Sequence, residues 1–244
     1  MLVRFICAVI LCVAFTIPGW SGLITEANVN VYDYGVSSYL LTWTCSDAGT
    51  LGPGGIKHAS CIDPLGRGSA KATASYGSVS AHSDSSYSND FAQANSFAEF
   101  QDALNIFGGM GPGTLRYIAV AYGSPLSHTG GGAVSLPQIG YMSSEEYHDT
   151  GFDYFVGEVP FTFGSDFDFT FTAEASAELG GGGFASADLV GMQVLDALRR
   201  PVPGAQIVAA SGTNYPLLPV PEPSTFCLLL FGIAALGARG KICG

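Results

Sequence analysis

The chain has 244 residues, 33 of them Gly, with 48% hydrophobic and only 12% charged residues. That hydropathy excludes disorder of the low-hydropathy, high-charge kind, and the length supports one domain with a substantial core. A net charge of −11 argues against a nucleic-acid partner, whose phosphates need Lys and Arg as counterions.

Residues 1–21 read as a signal peptide. Arg4 supplies the positive start, residues 5–17 form an apolar or neutral run, and Pro18-Gly19-Trp20-Ser21 breaks it with small residues at Gly19 and Ser21. The run is shorter than the ~20 residues that a transmembrane anchor needs. Thr25-Glu26-Ala27 offers a second cleavage point.

The body that follows, residues 22–218, is predicted as strands. Residues 29–34 are the first, and 70–80 form a small-residue strand. Cys45 and Cys61 lie between them. Because Cys7 and Cys12 fall in the signal peptide and Cys227 and Cys243 in the tail, these two are the body's only cysteines. An even number in an oxidising compartment suggests a bridge between them; two free thiols are the alternative, and no ligand spacing supports zinc.

Further along, Ala98, Phe100, Leu104 and Ile106 alternate with polar residues up to a Gly-rich turn at 108–113. Residues 115–122 follow as the return strand, apolar on both sides and therefore central. Residues 152–159 are another strand. Over 161–179, Phe and Ala occupy odd positions and Thr, Asp, Ser and Glu even ones, which predicts one strand, or two continuing through a bend. Gly180-Gly181-Gly182-Gly183 turns the chain, 184–197 is its expected hairpin partner, and 205–210 is the last strand. Roughly eight to ten short strands without helices mean an all-β fold, an antiparallel two-layer β-sandwich of jelly-roll type. A hydrophobic targeting helix is expected on either side of it.

Chemistry-bearing patterns are sparse. No nucleophile elbow, zinc-protease helix, phosphate loop or EF-hand loop can be read. Gly180 to Ala185 matches G-x-G-x-x-A, but no helix pattern follows it. Glu174 and Glu178 share a face ~13 Å apart, too far for a glycosidase pair, whereas Asp166 and Asp168 at ~7 Å would fit an inverting one. The plainer reading of these carboxylates is a solvated acidic face. Glu145, Glu146, Asp149 and Asp153 form the densest acidic patch, a weak Ca²⁺ candidate that a solvated loop explains equally well. His58, His82, His128 and His148 lack ligand spacing. No catalytic residue and no cofactor is assigned. Tyr76, Tyr87, Tyr117, Tyr122, Tyr141 and Tyr147 are candidate aromatic platforms for a glycan.

Residues 219–244 carry the most specific signal. Val220-Pro221-Glu222-Pro223-Ser224-Thr225 precedes an apolar run at 226–237, and Arg239 and Lys241 follow. Prolines hold the chain extended before the run, and the basic end stays cytoplasmic by the positive-inside rule. This order resembles the PEP-CTERM sorting signal of exopolysaccharide-producing Gram-negative bacteria. The resemblance implies processing by an exosortase-type membrane protease; an ordinary tail anchor would give the same membrane placement without processing. The departures are a basic end of only two residues and the cysteines in the tail. The body is also similar, more loosely, to sandwich domains that accompany such signals. The likeness lies in Ala98-Glu99-Phe100-Gln101-Asp102-Ala103-Leu104-Asn105-Ile106 and in Val194-Leu195-Asp196-Ala197, Pro201-Val202-Pro203-Gly204 and Ser211-Gly212-Thr213-Asn214-Tyr215.

The expected protein is exported across the inner membrane and transiently anchored by its C-terminal helix. It then resides in the envelope or extracellular matrix as a non-enzymatic structural protein, with exopolysaccharide as a partner. A carbohydrate-binding module is the alternative, and a glycan hydrolase a third reading that the missing motifs disfavour.

Overall fold

In a computed structural model, the described residues are 21–33, 39–86, 91–125, 129–143 and 153–219. They form two antiparallel sheets. Sheet 1 runs β2 (Tyr39–Gly49), β1 (Gly22–Asp33), β6 (Phe91–Phe107), β11 (Asp166–Glu178), β8 (Gly130–Leu136), β9 (Gly140–Ser143), and β13 (Gln206–Ala209) pairs with the end of β6. Sheet 2 runs β10 (Asp153–Thr162), β7 (Pro112–Pro125), β12 (Gly182–Asp196), β5 (Ser78–Ser85), β4 (Gly68–Ser75), β3 (Ile56–Ile62). The expected antiparallel two-layer sandwich is therefore the fold. The expected terminal helices fall on 1–20 and 220–244, outside the described residues. Among the described residues there is no helix long and apolar enough to cross a membrane.

Alternation makes the layers. In β11 the odd-numbered residues from Phe169 to Ala177 are buried, and the even-numbered Thr, Glu and Ser face outward. Long β6 repeats this pattern in register with it, Phe100 beside Phe171 and Ala98 beside Ala173. The core tapers along these strands. At one end Phe100, Phe169, Phe171 and Tyr117 form an aromatic cluster with ring centroids 5.0–6.2 Å apart. At the other end Ala94, Ala175, Ala177, Ala185 and Ala187 bring the sheets together. There Ser83 Oγ of sheet 2 donates to Ala175 O of sheet 1 at 3.0 Å. The approach needs glycine: a Cβ on Gly132 would stand 1.9 Å from Phe184 O.

Several connections differ from the sequence expectation. Residues 115–122 are an interior strand, as expected, but β7 is not the hairpin partner of β6; it lies in the other sheet. Likewise β12 does not return beside β11 but crosses to sheet 2, between β7 and β5. Apolar alternation is satisfied equally by a neighbouring strand and by one facing it across the core, so a Gly-rich turn allows both. The 161–179 run is not a single bent strand: Phe161 belongs to β10, the chain turns at Gly164 (φ 78°), and β11 begins in the opposite sheet. The expected strand at 70–80 is a hairpin, β4 and β5, turned at Gly77 (φ 98°). Strands β2, β3, β8 and β9 were not expected.

Candidate functional site

Residues after β12 fold back as an arm that leads to the tail. β12 ends at Asp196 in a tight turn whose return leg is held by Asp196 N to Arg200 O and Val202 N to Val194 O, both at 2.9 Å, and β13 then pairs with β6 in the space beyond β1. The arm is then held at Asp102, an inward-facing residue of β6 with no exposed surface. Its carboxylate accepts bonds from Ser211 N (3.1 Å), Ser211 Oγ (2.5 Å) and Tyr215 Oη (2.7 Å). Burial and the neighbouring Asp102 charge push the Tyr215 phenol far above its ordinary value, so it stays a donor. Beyond Tyr215, Met192 N donates to Pro216 O at 2.8 Å and Leu218 N donates to Met192 O at 2.7 Å. The arm thus adds a short parallel bridge to β12 at Leu217, beside the bulge between Leu189 and Gly191. Leu218 is fixed to the body, and Pro221 follows three residues later. At ~3.3–3.6 Å per residue the motif begins no more than about 11 Å from that anchor.

The tail residues Val220, Pro221, Glu222, Pro223, Ser224, Thr225, Arg239 and Lys241 themselves lie outside the described residues. So do Glu145, Glu146 and Asp149, leaving Asp153 exposed at the start of β10 as the described member of the Ca²⁺ candidate. No group of three metal-ligating side chains occurs among the described residues. Cys45 and Cys61 are bonded, with Cα atoms 5.6 Å apart, and join edge strand β2 of sheet 1 to edge strand β3 of sheet 2.

The carboxylates singled out in the sequence do not converge. Asp166, Asp168, Glu174 and Glu178 follow one another along the outer face of β11. Asn105 Nδ2 donates to Asp166, and Gln93 Nε2 donates to Glu178, both at 2.8 Å. Asp166 and Asn105 line an open groove of ≈ 220 Å³, smaller than sites that enclose a small-molecule ligand. Farther along the same face, burial raises the Glu99 and Glu174 carboxyls above the usual range, and the Glu174 charge joins burial in raising Tyr141.

Among the described residues, the candidate tyrosines do not form a platform. Tyr117 is a core residue whose hydroxyl donates to Pro137 O at 2.6 Å, above Gly157, where any Cβ would strike its ring. Tyr76 packs against the core, and Tyr87 and Tyr147 lie outside the described residues. Tyr122 is tilted 53° to Phe184 on the outer face of sheet 2, whereas Tyr141 stands on sheet 1. Sequence reading missed Asp102, whose partners lie over a hundred residues away, and the exposed Tyr154.

Residues 219–241 match the model of the PEP-CTERM protein-sorting motif. The motif supports export to the envelope or extracellular space of a Gram-negative bacterium and exosortase-dependent sorting. No curated protein and no solved structure matches the chain.

Proposed function

We propose that this chain is a non-enzymatic structural protein of the cell envelope or exopolysaccharide, built on a jelly-roll-type sandwich. Its C-terminal apolar segment holds it at the membrane until an exosortase cleaves near Pro221-Glu222-Pro223. The observation that carries this reading is the sorting motif, placed directly after an arm pinned to the body at Leu218. Prolines favour an extended, unpaired backbone, the form in which a protease binds a peptide. Replacing Pro221, Glu222 and Pro223 with alanine removes that constraint and favours backward extension of the apolar helix. The size and location of this variant, followed in hosts with and without the exosortase, test the reading. Processing equal to that of the parent chain would refute it.

One observation favours carbohydrate binding as a second reading. The outer face of sheet 1 presents rows of amides, hydroxyls and carboxylates around one ring: Asn28, Asn95 and Ser176 in one row, Glu26, Phe97 and Glu174 in the next. Such a surface suits a hydroxyl-rich polymer. Glycan-array binding by the full chain that is lost in Phe97→Ala would support it, and an empty array would sink it.

A further inference from the structure

The two outer faces differ in charge. The strands of sheet 1 contain no Lys or Arg, and their outward positions include Glu26, Glu99, Asp166, Asp168, Glu174 and Glu178. Every basic residue of the body is on sheet 2 or its turns: Lys57, Arg67, Lys71, Arg116, Arg199 and Arg200. On the outer face of sheet 2, Arg116 and Arg199 share Glu158, and Lys71 of β4 is exposed.

The same face of sheet 2 carries apolar side chains where β10, β7 and β12 lie side by side, interrupted by the exposed carboxylate of Asp188, which is paired with Val120. Tyr154 is 73% exposed and Val156 58%. Val120 is paired with Tyr154, and Ile118 with Val156. Gly191 completes that last row, and a Cβ on it would meet Leu218 Cδ2 at 2.7 Å. Leu218, the last anchored residue of the arm, therefore lies on this apolar strip. The apolar run at 226–237 begins eight residues later.

We infer that the outer face of sheet 2 rests on a lipid surface while the chain is anchored, with the acidic face of sheet 1 turned away. The inference builds on the reading that the C-terminal segment enters a membrane. The arm leaves the sandwich over Gly191, in the row that continues through Ile118 to Val156, so a short tether brings that face to the bilayer. Tyr154 and Val156 can then enter the interfacial layer, where an amphipathic ring and a branched apolar side chain are favoured. Charge favours the same orientation: on sheet 2 the basic residues are balanced by Asp84, Glu158 and Asp188, whereas the carboxylates of sheet 1 have no basic residue in their strands to offset them and are repelled by anionic headgroups.

The test uses two exposed tyrosines on opposite faces. Full-length chains carrying Tyr154→Trp or Tyr141→Trp are reconstituted in phosphatidylcholine–phosphatidylglycerol vesicles with brominated acyl chains, and quenching is read relative to the parent. Val156→Trp serves as a second reporter should Tyr154→Trp unfold. Quenching at 154 or 156 that exceeds that at 141 by about twofold or more is expected for a side chain at the interface. Equal quenching at both faces overturns the orientation, as does protection of position 154 that is the same with and without vesicles, which would mean that the chain's own tail covers the strip. Failure to co-float with vesicles would overturn the membrane reading as well. Processing by the exosortase is not involved, so its success or failure is read separately.

Discussion

Breaking the Cys45–Cys61 bridge should weaken the whole sandwich, not only its edge. The cysteines are 16 residues apart in sequence, and closing a loop of that size contributes about 3 kcal/mol on the chain-entropy model. That is a large part of the ~5–15 kcal/mol by which a domain is stable. The bridge joins the outermost strands of both sheets, β2 and β3, so it opposes their separation where no further strand is hydrogen-bonded to either among the described residues. Trp43, two residues from Cys45 and packed on the core, reports on that edge by fluorescence, while circular dichroism reports on the sheets together. In urea, reduction or the double Cys→Ala replacement should lower the midpoint by ~1–2 M at a typical slope, with both signals moving together. A shift below about 0.3 M at that slope, or a Trp43 transition that separates from the circular dichroism, would refute the reasoning: the bridge would then hold only β2.

Three further outcomes are expected. Asp102→Ala removes the acceptor of three bonds and takes from the Ser211 N–H, the Ser211 hydroxyl and the Tyr215 hydroxyl their shared buried acceptor, costing about 2–4 kcal/mol; Tyr215→Phe should cost ~1 kcal/mol, and both should speed proteolysis between 200 and 219. Gly132→Ala drives a methyl into the Phe184 carbonyl and should cost at least ~2–3 kcal/mol, read from denaturation midpoints; a neutral effect would show that the sheets do not approach so closely. Burial raises the folded-state pKa of Glu99, so the folded state binds its proton more tightly, and the native state is penalised as pH rises from the unfolded value of about 4.3 through the raised one. Glu99→Gln should therefore raise Tm at pH 7 and leave it unchanged once pH falls below that window; a gain at both pH values would point to a cause other than ionisation.

The layers were legible because β11 obeys a period of two over its whole length, with Phe169, Phe171, Ala173, Ala175 and Ala177 inside. What the pattern does not carry is which sheet a strand joins. Gly108–Gly113 and Gly180–Gly183 look like hairpin turns and are crossings. The burial of β7 and β12 is met equally well by facing β6 and β11 across the core as by lying beside them. Strands such as β2, β3 and β8 escaped notice for a different reason. Gly130–Leu136 is mostly Gly, Ala and Ser, while Tyr39–Gly49 groups Tyr39, Leu40, Leu41 and Trp43 at its start, and the alternation of each shows only once the register to β11 and β1 is known.

The tail was legible because its information is local: Pro-Glu-Pro, an apolar run and a basic end stand consecutively. The arm behind it was not, since Asp102 meets Ser211 and Tyr215 only after β13 has paired with β6. Charge segregation is hidden for the same reason. In sequence order, the body's basic residues stand in three separate places among the acidic ones: Lys57, Arg67 and Lys71 between Asp47 and Asp84, Arg116 between Asp102 and Glu145, and Arg199 and Arg200 after Asp196. Because the chain repeatedly crosses between sheets, strands without a single Lys or Arg are collected from both halves of the sequence into sheet 1. The same crossings bring Leu218 onto the opposite sheet, over Gly191 in the row of Ile118 and Val156. Under the proposed anchoring, the face that the sandwich would turn toward the membrane is thus decided by strand order and not by any contiguous stretch of residues.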